Sequence, residues 1–136
     1  MPKYKPREKS EETFLHDADL FCAHTIKLLK NEDVCPKSAR WLGAEEIIRL
    51  AQKLHTAIHN ANNIKVTNSK EREARHACQT EALALIKTLG EKFKFCTLIY
   101  SIKVDVLNNW LNQKGDIQSW LRLWQSADEK RYQNIG

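Results

Sequence analysis

His55 and His59 lie four residues apart, a spacing that puts two imidazoles on one face of a helix. Imidazole is a common zinc ligand, but no Glu-x-x-His motif or nearby cysteine completes a tetrahedral set. His76 precedes Cys78 closely, yet such near neighbours point to different faces of a helix and do not form a thiol and base pair. We therefore predict neither a metal site nor a catalytic nucleophile at these residues.

Four polar residues of the first amphipathic segment also combine types that can transfer protons. They are His16, Asp17, Asp19 and His24. Their offsets scatter them around a helix, which is typical of a solvated polar face. The phosphate-binding, dinucleotide, metalloprotease, hydrolase-elbow and calcium-loop motifs are all absent from the sequence. The prediction is a protein that is not an enzyme and uses no cofactor.

Basic residues form two tracks that contain no acid and suit the phosphate oxygens of a nucleic acid. One lies on the polar stripe of the second segment, and the other lies at the start of the third, beside free backbone N–H groups. The candidate phosphate contacts are Arg40, Arg49, Lys53, Arg72 and Arg75. The alternative is an ordinary solvated face. Nothing in either track specifies bases, so RNA and DNA would be poorly distinguished.

Three of the four tryptophans, Trp110, Trp120 and Trp124, crowd the last helical segment. A small bundle has limited room for large rings, and tryptophan is enriched at protein interfaces. We predict that these residues face another subunit of a homo-oligomer. The alternative is that all three complete the core of a single chain.

Apolar residues recur at three- and four-residue steps in four segments, which predicts four amphipathic helices. The first and third segments are predicted to start near Ser10 and Ser69, Ser38 is a capping candidate ahead of the second, and Ser101 is predicted to cap the fourth. Asn68 followed by Glu71 predicts a capping box at the third, and Gly115-Asp116 is a point where the fourth could bend. Because the connections are short, successive helices are expected to be antiparallel neighbours. The predicted fold is all-α, an up-and-down antiparallel four-helix bundle.

The predicted domain organisation is a flexible basic tail at residues 1–9, the bundle at residues 10–128 and a C-terminal tail at residues 129–136. A chain of 136 residues is expected to form one domain, and its net charge of +5 modestly favours anionic partners. Four cysteines without a CxxC pair, and no secretory signal, predict buried reduced thiols in a cytoplasmic protein. No apolar stretch is long enough for a membrane span.

The segment at residues 36–43, Pro-Lys-Ser-Ala-Arg-Trp-Leu-Gly, leads into Ile47 and Ile48 and resembles the Avd-like four-helix-bundle family. That family includes the accessory variability determinant of diversity-generating retroelements and proteins encoded by intervening sequences in 23S ribosomal RNA genes. Further agreement across roughly residues 12–126 comes from a basic start to the third helix and from Ala61-Asn62, Ile102-Lys103 and Trp120. The sequence departs from the pattern after Gly43, where acidic residues replace a polar-to-basic run.

The resemblance implies a ring-like homopentamer with a positive surface and no active site of its own. It implies binding to a reverse transcriptase and to template RNA, in support of mutagenic complementary-DNA synthesis, with DNA as a second candidate ligand. The expected function is thus a non-catalytic accessory protein of a diversity-generating retroelement. The alternative is a protein of the ribosomal intervening-sequence type, or another helical protein-interaction module, without nucleic-acid binding.

Overall fold

The computed structural model describes residues 11–135, which form four long α-helices and a short 3₁₀ helix, with no strand among them. The elements are α1 (Glu11–Lys30), the 3₁₀ helix (Lys37–Leu42), α2 (Ala44–Asn63), α3 (Ser69–Cys96) and α4 (Val104–Arg131). The all-helical prediction is confirmed. The predicted tail at residues 1–9 and the predicted helix start at Ser10 lie outside the described residues.

The four α-helices pack together around one core. Helix α2 packs along α1 and α3, and α4 packs along α3 and α1. The predicted seam of α2 is buried and consists of Ala44, Ile47, Ala51, Leu54, Ile58 and Ala61. Its alanines leave room for the neighbouring helices to approach closely. Among residues 11–135 no helix combines the length and apolar character that crossing a bilayer would require.

Helix α3 begins with the cap that the sequence predicts. The Asn68 side chain accepts a hydrogen bond from the backbone N–H of Glu71 at 2.9 Å. The Glu71 carboxylate in turn accepts from both the hydroxyl and the backbone N–H of Thr67. These bonds, the hydroxyl first and the backbone second, hold the pKa of Glu71 below its ordinary value. The first bond satisfies an N–H that the helix start would leave free, but the reciprocal bond goes to Thr67 and not, as in a capping box, to Asn68.

Helix α4 differs from the sequence prediction at three points. It begins after Lys103 with no side-chain cap, and the backbone N–H of Ser101 instead donates to the Val34 carbonyl at 3.2 Å. It runs unbroken through Gly115-Asp116. It also ends at Arg131, three residues beyond the predicted end of the bundle, because its last turns are held against α3 by buried polar contacts.

The 3₁₀ helix is held against the end of α3 by Tyr100. The Tyr100 hydroxyl donates to the Ala39 carbonyl at 2.7 Å and accepts from the backbone N–H of Ala44 at 3.0 Å. A Cβ at Gly43 would lie 2.9 Å from the Sγ of Cys96, so glycine is needed here for space. The loop thus places the segment that carries the family resemblance at one end of the bundle.

The four cysteines are free thiols, of which Cys22, Cys35 and Cys96 are buried and Cys78 is partly buried. Burial raises the pKa of Cys22 to about 12 and that of Cys96 to about 11. Both therefore stay protonated at neutral pH and behave as small apolar side chains. The prediction of buried, unpaired thiols is confirmed.

Candidate nucleic-acid interface

Arg49 and Lys53 stand on the outer face of α2, opposite its buried seam. Both side chains are exposed, and within the described part of the chain neither forms an ion pair or side-chain hydrogen bond. Their four-residue spacing puts the two charges on one face of the helix. Of the five predicted phosphate contacts, these two are the ones fully available to a ligand.

Arg40 and Arg72 are partly buried, and each donates hydrogen bonds to backbone carbonyls in another segment of the chain. Arg40, in the 3₁₀ helix, donates from Nη2 to the Lys30 carbonyl at 2.7 Å and so binds the end of α1. Arg72, at the start of α3, donates from Nη1 to the carbonyls of Tyr132 and Ile135 at 3.0 and 2.9 Å. Both arginines therefore stabilise the fold through these bonds, and both residues are only partly exposed to a phosphate ligand.

Arg75 lies inside the bundle, which corrects its prediction as a phosphate contact. Its Nε and Nη2 donate to the two oxygens of Asp128 at 2.5 and 3.3 Å. Gln79 donates to the same carboxylate at 2.8 Å, and the guanidinium lies over the Trp124 ring at 5.0 Å. Because Asp128 follows 53 residues later in the sequence, local spacing could not reveal this pairing.

The tryptophans of α4 complete the core, which is the alternative to the predicted subunit interface. Trp110, Trp120 and Trp124 are each at most 5% exposed in the single chain. Trp110 stacks on Phe93 with ring centroids 3.9 Å apart, and Trp120 stacks on Phe14 at 3.7 Å. Flat partners on α3 and α1 make room for the large rings, so little of their surface is left for a second subunit.

Four cations of α3 and α4, one of them half-buried, are close enough to influence one another, and we call the surface that they share the α3–α4 basic groove. Lys87 and Lys94 come from α3, and Lys114 and Arg122 come from α4. Partial burial lowers the pKa of Lys114, and the neighbouring charges of Lys94, Arg122 and Lys87 lower it further, whereas Glu91 opposes them. Uncompensated positive charge of this kind attracts anions.

Helical spacing and one glycine shape this groove. Lys87 and Lys94 are two turns apart on α3, and Lys114 and Arg122 share a face of α4 at an eight-residue spacing. Gly90 is buried between the two lysines of α3, and a Cβ there would lie 2.8 Å from the Cε of Lys114. Both spacings are visible in the sequence, but the cluster itself is not, because it depends on which faces of α3 and α4 meet.

A second surface feature is apolar and lies at the end of the bundle where Tyr100 bonds the 3₁₀ helix. Trp41 is 71% exposed and Leu98 is 81% exposed. The apolar end surface consists of Trp41, Leu42, Phe95, Leu98, Ile99 and Val104. Large apolar side chains grouped on a surface mark sites of protein association.

Comparisons with protein families, with curated proteins and with solved structures each find no match to this chain. The family resemblance of residues 36–43 and of the following helices therefore stays an expectation from the sequence.

Proposed function

We propose that this chain is a non-catalytic nucleic-acid-binding protein that holds structured RNA along the α3–α4 basic groove. The observation that carries the proposal is the partly buried Lys114, which lies against Gly90 of α3 and feels the charges of Lys87, Lys94 and Arg122. A phosphate backbone would relieve the repulsion among these cations and release its own counterions. No base-reading element is required, so DNA is a second ligand of the same groove.

Arg49 and Lys53 supply a second point of contact on α2. Helix α2 packs beside α3, and packed helices lie about 8–10 Å apart, which is less than the width of a nucleic-acid duplex. A nucleic acid that passes around α3 would be needed to contact both the groove and this pair. Arg40 and Arg72 contribute weakly, since their guanidinium groups are already bonded to backbone carbonyls.

The biological role that fits both surfaces is the accessory subunit of a diversity-generating retroelement, as the Avd-like resemblance implies. In this role the chain binds template RNA in the groove and a reverse transcriptase elsewhere. The four helices form an up-and-down antiparallel bundle, an arrangement favoured by short connections between helices that pack in sequence order. The protein works in the cytoplasm, where its thiols stay reduced.

The apolar end surface favours a second function, protein association. Trp41 and Leu98 expose most of their side chains, and covering them would remove a large apolar area from water. We assign this surface to the contact between copies in a homo-oligomer, a pentamer by resemblance. A helical protein-interaction module without nucleic-acid binding would need only this surface, and it is the competing function.

The test is binding of structured RNA and of duplex DNA to the full chain across a salt series. The triple variant Lys87→Gln, Lys94→Gln, Arg122→Gln removes three groove charges and leaves the half-buried Lys114 in place. Its matched control, Lys27→Gln, Lys65→Gln, Lys130→Gln, removes three exposed charges outside the groove. We expect the slope of log affinity against log salt to fall by roughly 2 to 3 in the groove variant only.

Two results would argue against this function. Equal loss in both triple variants would show that net charge, and not the groove, attracts the nucleic acid. The absence of RNA and DNA binding by the unaltered chain at low salt would remove the proposal and leave the protein-interaction module.

A further inference from the structure

Helix α1 brings a carboxylate to the histidine pair of α2. The Nε2 atoms of His59 and His55 lie 2.7 and 3.0 Å from the same oxygen, Oδ1 of Asp19. Local spacing in the sequence does not reveal this third side chain, because Asp19 precedes His59 by 40 residues. The packing of α1 on α2 supplies it.

We propose that Asp19, His55 and His59 form a binding site for Zn²⁺, with water as the fourth ligand. Two imidazole nitrogens and one carboxylate oxygen are a recognised donor set for this ion, and an open fourth position is common in such sites. The potential ligand atoms of the three residues all lie within 4.8 Å of one another. The set therefore has the composition and the size of a zinc site.

Side-chain rotation would bring the observed geometry to a tetrahedral site. Zinc bonds of about 2.0–2.2 Å place neighbouring ligand atoms roughly 3.3 Å apart. The two nitrogen–oxygen distances of 2.7 and 3.0 Å must therefore open slightly, and the ligand atoms of the two imidazoles, which lie within 4.8 Å of one another, must take up the same separation. The side chains are 32–48% exposed, so rotation about their own bonds can provide this change and solvent can deliver the ion.

The two imidazoles approach the carboxylate in the way that ligands of a single ion would. The rings of His55 and His59 lie side by side with centroids 4.5 Å apart, and both direct a nitrogen to one carboxylate oxygen. Metal binding needs a neutral imidazole with a free lone pair on Nε2. An imidazole that carries its proton on Nε2 must therefore release this proton to solvent and take up another at Nδ1. Nitrogen and carboxylate ligands select Zn²⁺ and related transition ions over Mg²⁺.

The site is tested by calorimetric titration of Zn²⁺ into the full chain without a polyhistidine tag. We expect one ion per chain, and Co²⁺ in its place should give a visible absorption band with its intensity in the four-coordinate range. His59→Gln and Asp19→Asn should each weaken Zn²⁺ binding at least about tenfold, as loss of supporting residues does at other sites. His24→Gln is the matched control, since His24 is an exposed histidine of the same helix and lines a separate cleft between α1 and α4.

A second measurement separates a metal site from a hydrogen-bonded contact. Zn²⁺ at a hundredfold excess over Kd should raise the Tm of the unaltered chain by roughly 5–10 °C, because only the folded chain holds the three ligands together. Asp19→Asn keeps the size of the side chain, and its circular dichroism spectrum shows whether the variant is folded. Absence of stoichiometric Zn²⁺ binding, or binding lost equally in His24→Gln, would overturn the proposal.

Discussion

Asp128 carries a buried charge on which the packing of the last turns of α4 depends. Arg75 and Gln79 both donate to its carboxylate, and the whole group lies in the interior between α3 and α4. A buried ion pair contributes little net stability compared with apolar packing, but removing one partner leaves an uncompensated charge away from water. The same contacts keep the guanidinium of Arg75 away from any nucleic acid.

Replacing Asp128 with alanine should therefore lower the free energy of unfolding by about 3–5 kcal/mol. Urea denaturation followed by circular dichroism measures this loss. Asp116→Ala is the control, because Asp116 is an exposed acid of the same helix and its removal should change stability by less than about 0.5 kcal/mol. Similar effects of the two substitutions would show that the Arg75 pairing does not hold the helix end.

At the scale of the helices, two glycines differ in whether an added side chain would have room. A Cβ at Gly115, in the interior of α4, would meet nothing within 4 Å. A Cβ at Gly43 would lie 2.9 Å from the buried Sγ of Cys96. Glycine therefore weakens α4 without a packing reason, whereas it is required where the 3₁₀ helix meets the end of α3.

Gly115→Ala should stabilise the chain by about 0.5–1 kcal/mol, the usual gain when alanine replaces glycine inside a helix. Gly43→Ala should destabilise it, by roughly 1–3 kcal/mol, because the added methyl group crowds a packed interior. Thermal and urea unfolding of both variants measure the expected gain in stability of one and the expected loss of the other. A loss at Gly115 would mean that α4 bends at this point in solution.

At the scale of the whole molecule, the exposed apolar end surface is the region that we propose for contact between copies of the chain. The tryptophans of α4 are already used by the core, so an oligomer has to use other side chains. Leu98, Val104 and Trp41 are the most exposed large apolar residues of the described chain. Contact between copies is therefore expected at this end and not along α4.

The double variant Trp41→Glu, Leu98→Glu should shift the protein from an oligomer to a monomer in sedimentation velocity experiments. Charges placed at an apolar contact would be desolvated without a partner, which opposes association. Leu123→Glu is the control, since Leu123 is a partly exposed apolar residue of α4 outside the end surface. An unaltered chain that is monomeric at all concentrations, or an oligomer that survives the double variant, would contradict the assignment.

The sequence by itself determined the helices, because their signals are local. The seam of α2 follows from three- and four-residue apolar spacing, and the Asn68 cap follows from two residues three apart. The exposure of Arg49 and Lys53 also follows from their position opposite the seam. These features depend on contacts within one turn or two, which residue spacing specifies directly.

Only the tertiary structure decided which side chains meet. Arg75 meets Asp128, His59 meets Asp19, and Lys114 lies near Lys94, although the residues of each pair belong to different helices and are far apart in sequence. Helical periodicity gives the face on which a residue lies but not the helix that this face meets, nor its register. For that reason the buried ion pair, the histidine and aspartate cluster and the basic groove required the packed chain, although every residue in them was visible in the sequence.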